Sequence, residues 1–199
     1  MKRLHRPDLF GWSRFDEARD IDFHSVLWVR PGGCVAFDPL PLSEHDRGHL
    51  RQLGPLAWIF LTNSDHARGA ERLRQETGAR VAAPRGERES FPVPVDEWLG
   101  EGPTPVPGLD AIELHGSKTP GELAFVLDHT TLVTGDLVRA HEAGRLCCLP
   151  EAKLIDPAAA RDSLRRLAAL DDVDAVLVGD GWPVFRGGHR ALQAALIRS

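Results

Sequence analysis

One apolar run ends at Leu61 in the polar loop Thr62-Asn63-Ser64-Asp65-His66, and another ends at Val133 in Thr134-Gly135-Asp136. An Asp-His pair leaving one strand and a Gly-Asp pair closing another, about 70 residues further on, can converge where the two strands end side by side. Carboxylates and an imidazole are the donors that hold borderline to hard divalent ions such as Zn²⁺, Mn²⁺ or Fe²⁺. These two loops therefore suggest a metal site, and with a water on the metal, hydrolysis.

The elements that must position these loops alternate in type along the chain. Residues 25–29 and 34–37 are β-rich runs separated by Pro31-Gly32-Gly33 and read as a hairpin. Ser43 can cap a helix reaching Leu53, Gly54 and Pro55 end it, and residues 57–61 read as a buried strand. Ser64 or Asp65 can cap a helix beginning near Ala67, with Ala70 and Leu73 on its inner face and Gly78 at its end. Residues 80–83 resume as strand, which completes a strand-helix-strand unit. From Pro84 to Gly108 the chain is rich in Pro and Gly and reads as ordered loop with one short strand and no chemistry. Residues 111–114, 123–127 and 131–134 restore the strand pattern, the last two joined by an Asp128-His129-Thr130 turn. Asp156 and Pro157 open a helix striped by Ala160, Leu164, Leu167 and Leu170. A strand at 175–178, then Gly179-Asp180-Gly181, then a helix with Leu192 and Leu196 inward complete the chain. Mixed strands and helices in this order predict two sheets with helices outside.

Composition bounds the function. With 199 residues, residues 1–199 are expected to form a single domain with a sizeable core. A formal charge of −5 gives no basic field for nucleic acid, although a local Arg patch can still attract a smaller anion. No apolar run approaches the roughly 20 residues of a membrane span, and the charged N-terminus Met1-Lys2-Arg3 has no apolar segment after it, so a cytoplasmic protein without membrane contact is expected. Cys34, Cys147 and Cys148 make a poor disulfide framework and read as reduced thiols. A monomer or a homodimer is expected.

The order of landmarks resembles the metallo-β-lactamase-fold superfamily, in particular its short bacterial members. The resemblance runs from about His24 to Ile197 and is carried by a hairpin ending in Asp38-Pro39, the segment Phe60 to His66, Thr119-Pro120-Gly121, Gly135-Asp136 and Gly179-Asp180-Gly181. It implies an α/β (α+β) fold of αββα type, a four-layer sandwich of two mixed sheets flanked by helices. The full family pattern is Thr-His-x-His-x-Asp-His, a His before Thr-Pro-Gly, the Gly-Asp, and a final Gly-His-Gly, and together these hold two metals.

This chain keeps part of that pattern. Asp65 and His66 match the final Asp-His, Asp136 matches the bridging aspartate, and Asp180 stands where the last histidine is expected. Asn63 occupies the place of a histidine, and Lys118 precedes Thr119-Pro120-Gly121 where another belongs. A protonated lysine has no lone pair for a metal. The resemblance thus implies at most one divalent ion, Zn, Mn or Fe, on Asp65, His66, Asp136 and Asp180, or no ion at all. Lys118 would hold a substrate anion or oxyanion and Asn63 would donate a further hydrogen bond; alternatively Lys118 forms an ion pair with Asp65, Asp136 or Asp180. Asp38 resembles a support for the loop, and His24, His115, His129, His141 and His189 match no motif position and read as structural or surface residues, His115 being the nearest to an exception.

Two functions from different classes follow. One is a metal-dependent hydrolase of a small, anionic ester, thioester or phosphoester. The other is a catalytically retired fold that binds a ligand or a protein without metal. β-Lactam hydrolysis is not expected, because most of the zinc ligands are missing.

Overall fold

The computed structural model describes residues 1–143 and 145–198. Seven strands form the first sheet in chain order: β1 (Lys2–Arg3), β2 (Leu9–Asp16), β3 (Ile21–Trp28), β4 (Cys34–Phe37), β5 (Leu56–Phe60), β6 (Arg80–Pro84) and β7 (Glu97–Leu99). The first four are antiparallel, and β4 to β7 run parallel. Helices α1 (Glu44–Leu53) and α2 (Ala70–Thr77) are the crossovers of that parallel half. The second sheet joins β8 (Gly102–Pro103), β9 (Leu109–Leu114), β10 (Glu122–Leu127) and β11 (Thr131–Thr134) antiparallel, and adds β14 (Ala175–Val178) parallel to β11. Between β11 and β14 lie the hairpin β12 (Val138–Glu142) and β13 (Arg145–Cys148) and helix α3 (Pro157–Ala168); α4 (Gly188–Arg198) follows β14.

Strand alternation assigns each residue to a layer. Val35, Phe37 and Phe60 from the first sheet meet Leu123, Phe125 and Val133 from the second in a core between the sheets. Their neighbours Ala36, Ile59 and Leu61 point the other way, onto Leu50 of α1 and Ala70 and Leu73 of α2. Ala124, Val126 and Val176 likewise face Leu164 and Leu167 of α3 and Leu192 of α4. Both faces of both sheets are covered, which is why β5 and β14 read as continuous apolar runs. The architecture is the helix-sheet-sheet-helix sandwich that the landmarks imply.

Most local signals act as expected. Ser43 caps α1 by accepting the Asp46 N–H, Asp156 caps α3 with Pro157 in its first turn, and Gly78 ends α2 in the left-handed region. Asp128 and His129 both take positive φ in the three-residue turn between β10 and β11. The segment after β5 differs from expectation. Ser64–His66 is a 3₁₀ turn capped by Asn63, whose side chain accepts the His66 N–H, and α2 begins only at Ala70 because Arg68 takes φ +36°. Residues 84–108 hold a 3₁₀ turn at Arg85–Glu87 and two short strands rather than one. The hairpin β12–β13 and the N-terminal strands carry too little alternation to show in the sequence. No helix among the described residues is long and apolar enough to cross a membrane, and no disulfide joins Cys34, Cys147 and Cys148 among the described residues.

Candidate functional site

The C-terminal ends of β4, β5, β11 and β14 meet at one edge of the sandwich, and the polar loops leaving them line a cleft of about 820 Å³. Asp38, at the end of β4, takes φ +45° and turns its carboxylate toward the next loop. It accepts the Thr62 N–H at 2.8 Å, the Thr62 hydroxyl at 2.7 Å and the His66 Nδ1–H at 2.7 Å. A carboxylate only accepts, so Nδ1 carries the proton and Nε2 is the nitrogen presented to the site. His66 is buried, and its Nε2 lies 3.7 Å from Asp136 and 3.9 Å from Asp180.

Two glycines make this approach feasible. A Cβ on Gly179 would stand 2.6 Å from the His66 ring, and one on Gly135 would stand 2.7 Å from the Thr62 hydroxyl and 3.0 Å from Glu122. The Gly that precedes each aspartate is thus required by close packing against the histidine loop. Asp180 is fixed by backbone pairing on both sides, as its carbonyl accepts the Ala140 N–H and the next residue, Gly181, donates to Asp22.

Ligand atoms of His66, Asp136 and Asp180 all lie within 4.8 Å of one another. Asp65 is not part of this group. It is half-exposed and its carboxylate pairs with Lys118 Nζ at 2.6 Å, while the same ammonium lies 3.4 Å from Asp136. Of the two expectations for Lys118, the geometry realises the ion pair. Asn63 is fully buried, and its amide donates to Asp136 at 3.0 Å while its oxygen accepts from the His66 backbone. Both of its polar ends serve the protein, and it braces the loop rather than facing a bound molecule.

Four residues that the motifs did not mark complete the site. Arg68 donates to Asp180 at 3.1 Å and to the His24 carbonyl, and its guanidinium lies over Phe23. Arg139 of β12 donates to the other Asp180 oxygen and is itself buried. Glu87, in the segment read as carrying no chemistry, is buried and accepts the Ser64 N–H and the Thr119 hydroxyl, each at 2.9 Å. His141, read as structural or surface, lines the cleft with Arg19 and Lys153. Arg68 and Arg139 follow the Asp-His and Gly-Asp pairs by two and three residues, a nearness to the motifs that is their one signal in the sequence.

Charge in the cleft is closely matched. Asp65, Asp136 and Asp180 face Lys118, Arg68 and Arg139. Burial alone would raise the Asp136 carboxyl, but His66, Lys118 and Arg139 together hold it below the ordinary carboxylate range. Burial disfavours a charged His66, and the Asp38 and Asp136 carboxylates outweigh it, so the imidazole pKa is raised. Behind the site Glu122 accepts from the Ser117 hydroxyl and the Leu137 N–H. Its full burial and the nearby Asp136 charge push its pKa up to about 7.

The donor set fits one divalent ion. It comprises one imidazole nitrogen and two carboxylates, and the distal Nδ1–H is secured by a carboxylate, as is usual for metal-ligating histidines.

The sequence model of a family described as the metallo-β-lactamase superfamily matches residues 1–198. Two curated relatives, hydroxyacylglutathione hydrolases from two strains of Cereibacter sphaeroides, are 40% identical over 97 and 115 residues, covering 46% and 54% of this chain and 37% and 42% of the relatives. The chain thus spans about two fifths of the length of the curated relatives it matches. Among solved structures, a metallo-β-lactamase from Pontibacter korlensis superposes with a TM-score of 0.74 at 15% identity, covering 98% of this chain and 97% of that one. One from Erythrobacter litoralis gives 0.76 at 14%, covering 98% and 94%. The FIM-1 metallo-β-lactamase of Pseudomonas aeruginosa in its mono-zinc form gives 0.72 at 12%, covering 96% and 90%. At these identities the likeness to solved structures is one of fold.

Proposed function

This chain belongs to the metallo-β-lactamase superfamily, and on that premise we propose that it is a hydrolase of a small anionic ester, thioester or phosphoester, working with a single divalent ion. The observation that carries the reading is the convergence of His66 Nε2, Asp136 and Asp180 at the floor of the open cleft, with the imidazole oriented by Asp38. These three residues would hold the ion. When bound it supplies Lewis acidity and a water of lowered pKa. The chain's own groups do the rest. Asp38 keeps the histidine tautomer, Asn63 and Glu87 fix the loop, and Asp65 holds Lys118 beside Asp136. The resemblance to hydroxyacylglutathione hydrolases over part of the chain favours a thioester among the three substrate classes.

A second reading, a ligand-binding module without metal, is favoured by a different observation: each of the three acids at the site already has a lysine or arginine partner. Turnover separates the two. Small esters, hydroxyacyl thioesters of glutathione and phosphoesters would be assayed with added Zn²⁺, Mn²⁺ or Fe²⁺. The hydrolase reading expects turnover with one class that falls by about 100-fold or more in His66→Ala, a scale on which even the partners of metal ligands matter. No turnover with any class and any ion, by protein that remains folded, would favour the binding module.

A further inference from the structure

We propose that the apolar cavity walled by α3, α4 and the β12–β13 hairpin is a second ligand site, separate from the cleft, that takes a medium-chain aliphatic carboxylate. The cavity has a volume of about 500 Å³, within the range of small-molecule sites. Its buried walls are Leu137 and Leu149, where the hairpin begins and ends, Ala160 and Leu164 of α3, and Ala195 of α4. The Leu149 N–H donates to the Leu137 carbonyl at 3.0 Å, which closes the base of the hairpin and holds both leucines on this wall. The alanines that α3 and α4 turn inward are too short to meet them, and the hollow between lacks the close packing of a protein interior. An apolar occupant restores those contacts. The lining residues include no aromatic ring, so the hollow suits a saturated chain.

Charge at the mouth selects the head group. The exposed lining residues are Arg161 of α3, Arg198 of α4 and Glu151 of the 3₁₀ turn Glu151–Lys153, two cations and one anion. Arg198 donates one terminal nitrogen to the Leu146 carbonyl, a neutral acceptor that fixes the guanidinium at the mouth without cancelling its charge. A guanidinium fork matches the two oxygens of a carboxylate. One carboxylate meets the single positive charge in excess, whereas the second charge of a phosphate monoester would stand against Glu151. The occupant is therefore amphipathic, its chain against the leucines and its head on the arginines. The cavity abuts the cleft from behind: Leu149 lines both, and Leu137 follows Asp136. His66, Asp136 and Asp180 line only the cleft.

The site draws on none of the residues that would hold an ion, so it stands or falls apart from the hydrolase reading. Isothermal titration of the full chain with hexanoate, octanoate and decanoate, before and after dialysis against a chelator, tests it. Saturable binding is expected, with decanoate tighter than hexanoate by about tenfold or more because each added CH₂ is buried. Decanoate is expected to bind about tenfold more weakly to Arg161→Gln/Arg198→Gln and about threefold more tightly to Glu151→Gln. All three positions are exposed, so these variants keep the core intact. Ala195→Leu, which fills the hollow, is expected to abolish binding; where it does not fold, the chain-length series and the mouth variants decide. No saturable binding, equal affinity for hexanoate and decanoate, affinity indifferent to the charges at the mouth, or full binding to a folded Ala195→Leu overturns the proposal. Binding lost with the chelator overturns it too, by placing the carboxylate on an ion in the cleft. A chain that sediments as a dimer, and as a monomer in Arg161→Gln/Arg198→Gln, would assign the hollow to a second copy and likewise overturn it.

Discussion

His66 shows how much of the site rests on one side chain's neighbours. Its ring is oriented by a carboxylate, packed against a glycine and surrounded by acids, and these contacts come from the ends of three strands, β4, β11 and β14. Asp65, its neighbour in sequence, goes elsewhere, because consecutive side chains in a 3₁₀ turn diverge by about a third of a turn; one goes inward and the other out to Lys118. The Asp-His pair was legible as a site marker, but which of its two residues faces the cluster was not, since that depends on turn geometry. Arg68 and Arg139 were illegible for a related reason: an arginine's partner is defined only when the strands are assembled. Glu122 gives a test at this scale. Its pKa is about 7 when folded, against an ordinary carboxylate range when unfolded, so the folded state binds the extra proton. Stability is therefore highest below about pH 4.5 as far as this group is concerned, falls as pH rises toward 7, and is flat above, by up to about 3 kcal/mol. Urea denaturation from pH 5 to 8 is expected to show this loss in the wild type and to show it reduced in Glu122→Gln.

The histidine turn and the Lys118–Thr119 loop leave different sheets, so something must tie them together, and Glu87 does so. One carboxylate oxygen holds the Ser64 N–H at the start of the histidine turn, and the other holds Thr119 next to Lys118. Burial raises its pKa, against which these hydrogen bonds work. Replacing it with alanine leaves the Ser64 N–H without its acceptor and the Thr119 hydroxyl with only the Gly121 carbonyl, and Glu87→Ala is expected to lose about 2 kcal/mol of unfolding free energy. Chemical denaturation measures that loss, and a variant as stable as the wild type would remove Glu87 from this role. The strands β3, β4, β5, β6, β9, β10, β11 and β14 and all four helices were readable from apolar period and caps. The tie itself was not, because it sits in a Pro- and Gly-rich segment whose side chains give no periodic signal.

At the scale of the whole molecule, two sheets covered on both faces bring four strand ends to one edge and place charged groups there that would be costly anywhere else in the core. The superfamily fold was legible because it lies in the order of landmarks along the chain. The balance of charge at the site was not, because it combines residues from β2–β3, β12 and the five loops that carry Asp65, Lys118, Asp136, Lys153 and Asp180. That balance is what separates a hydrolase with one ion from a binding fold that has replaced its metal with lysine and arginine. The most direct measurement is metal content by elemental mass spectrometry of protein purified without chelator or metal-affinity resin, beside a folded His66→Ala/Asp136→Asn variant. The hydrolase reading predicts about one divalent ion per chain in the wild type and none in the variant. A wild type with no ion above background, even after incubation with Zn²⁺, Mn²⁺ or Fe²⁺, would contradict it.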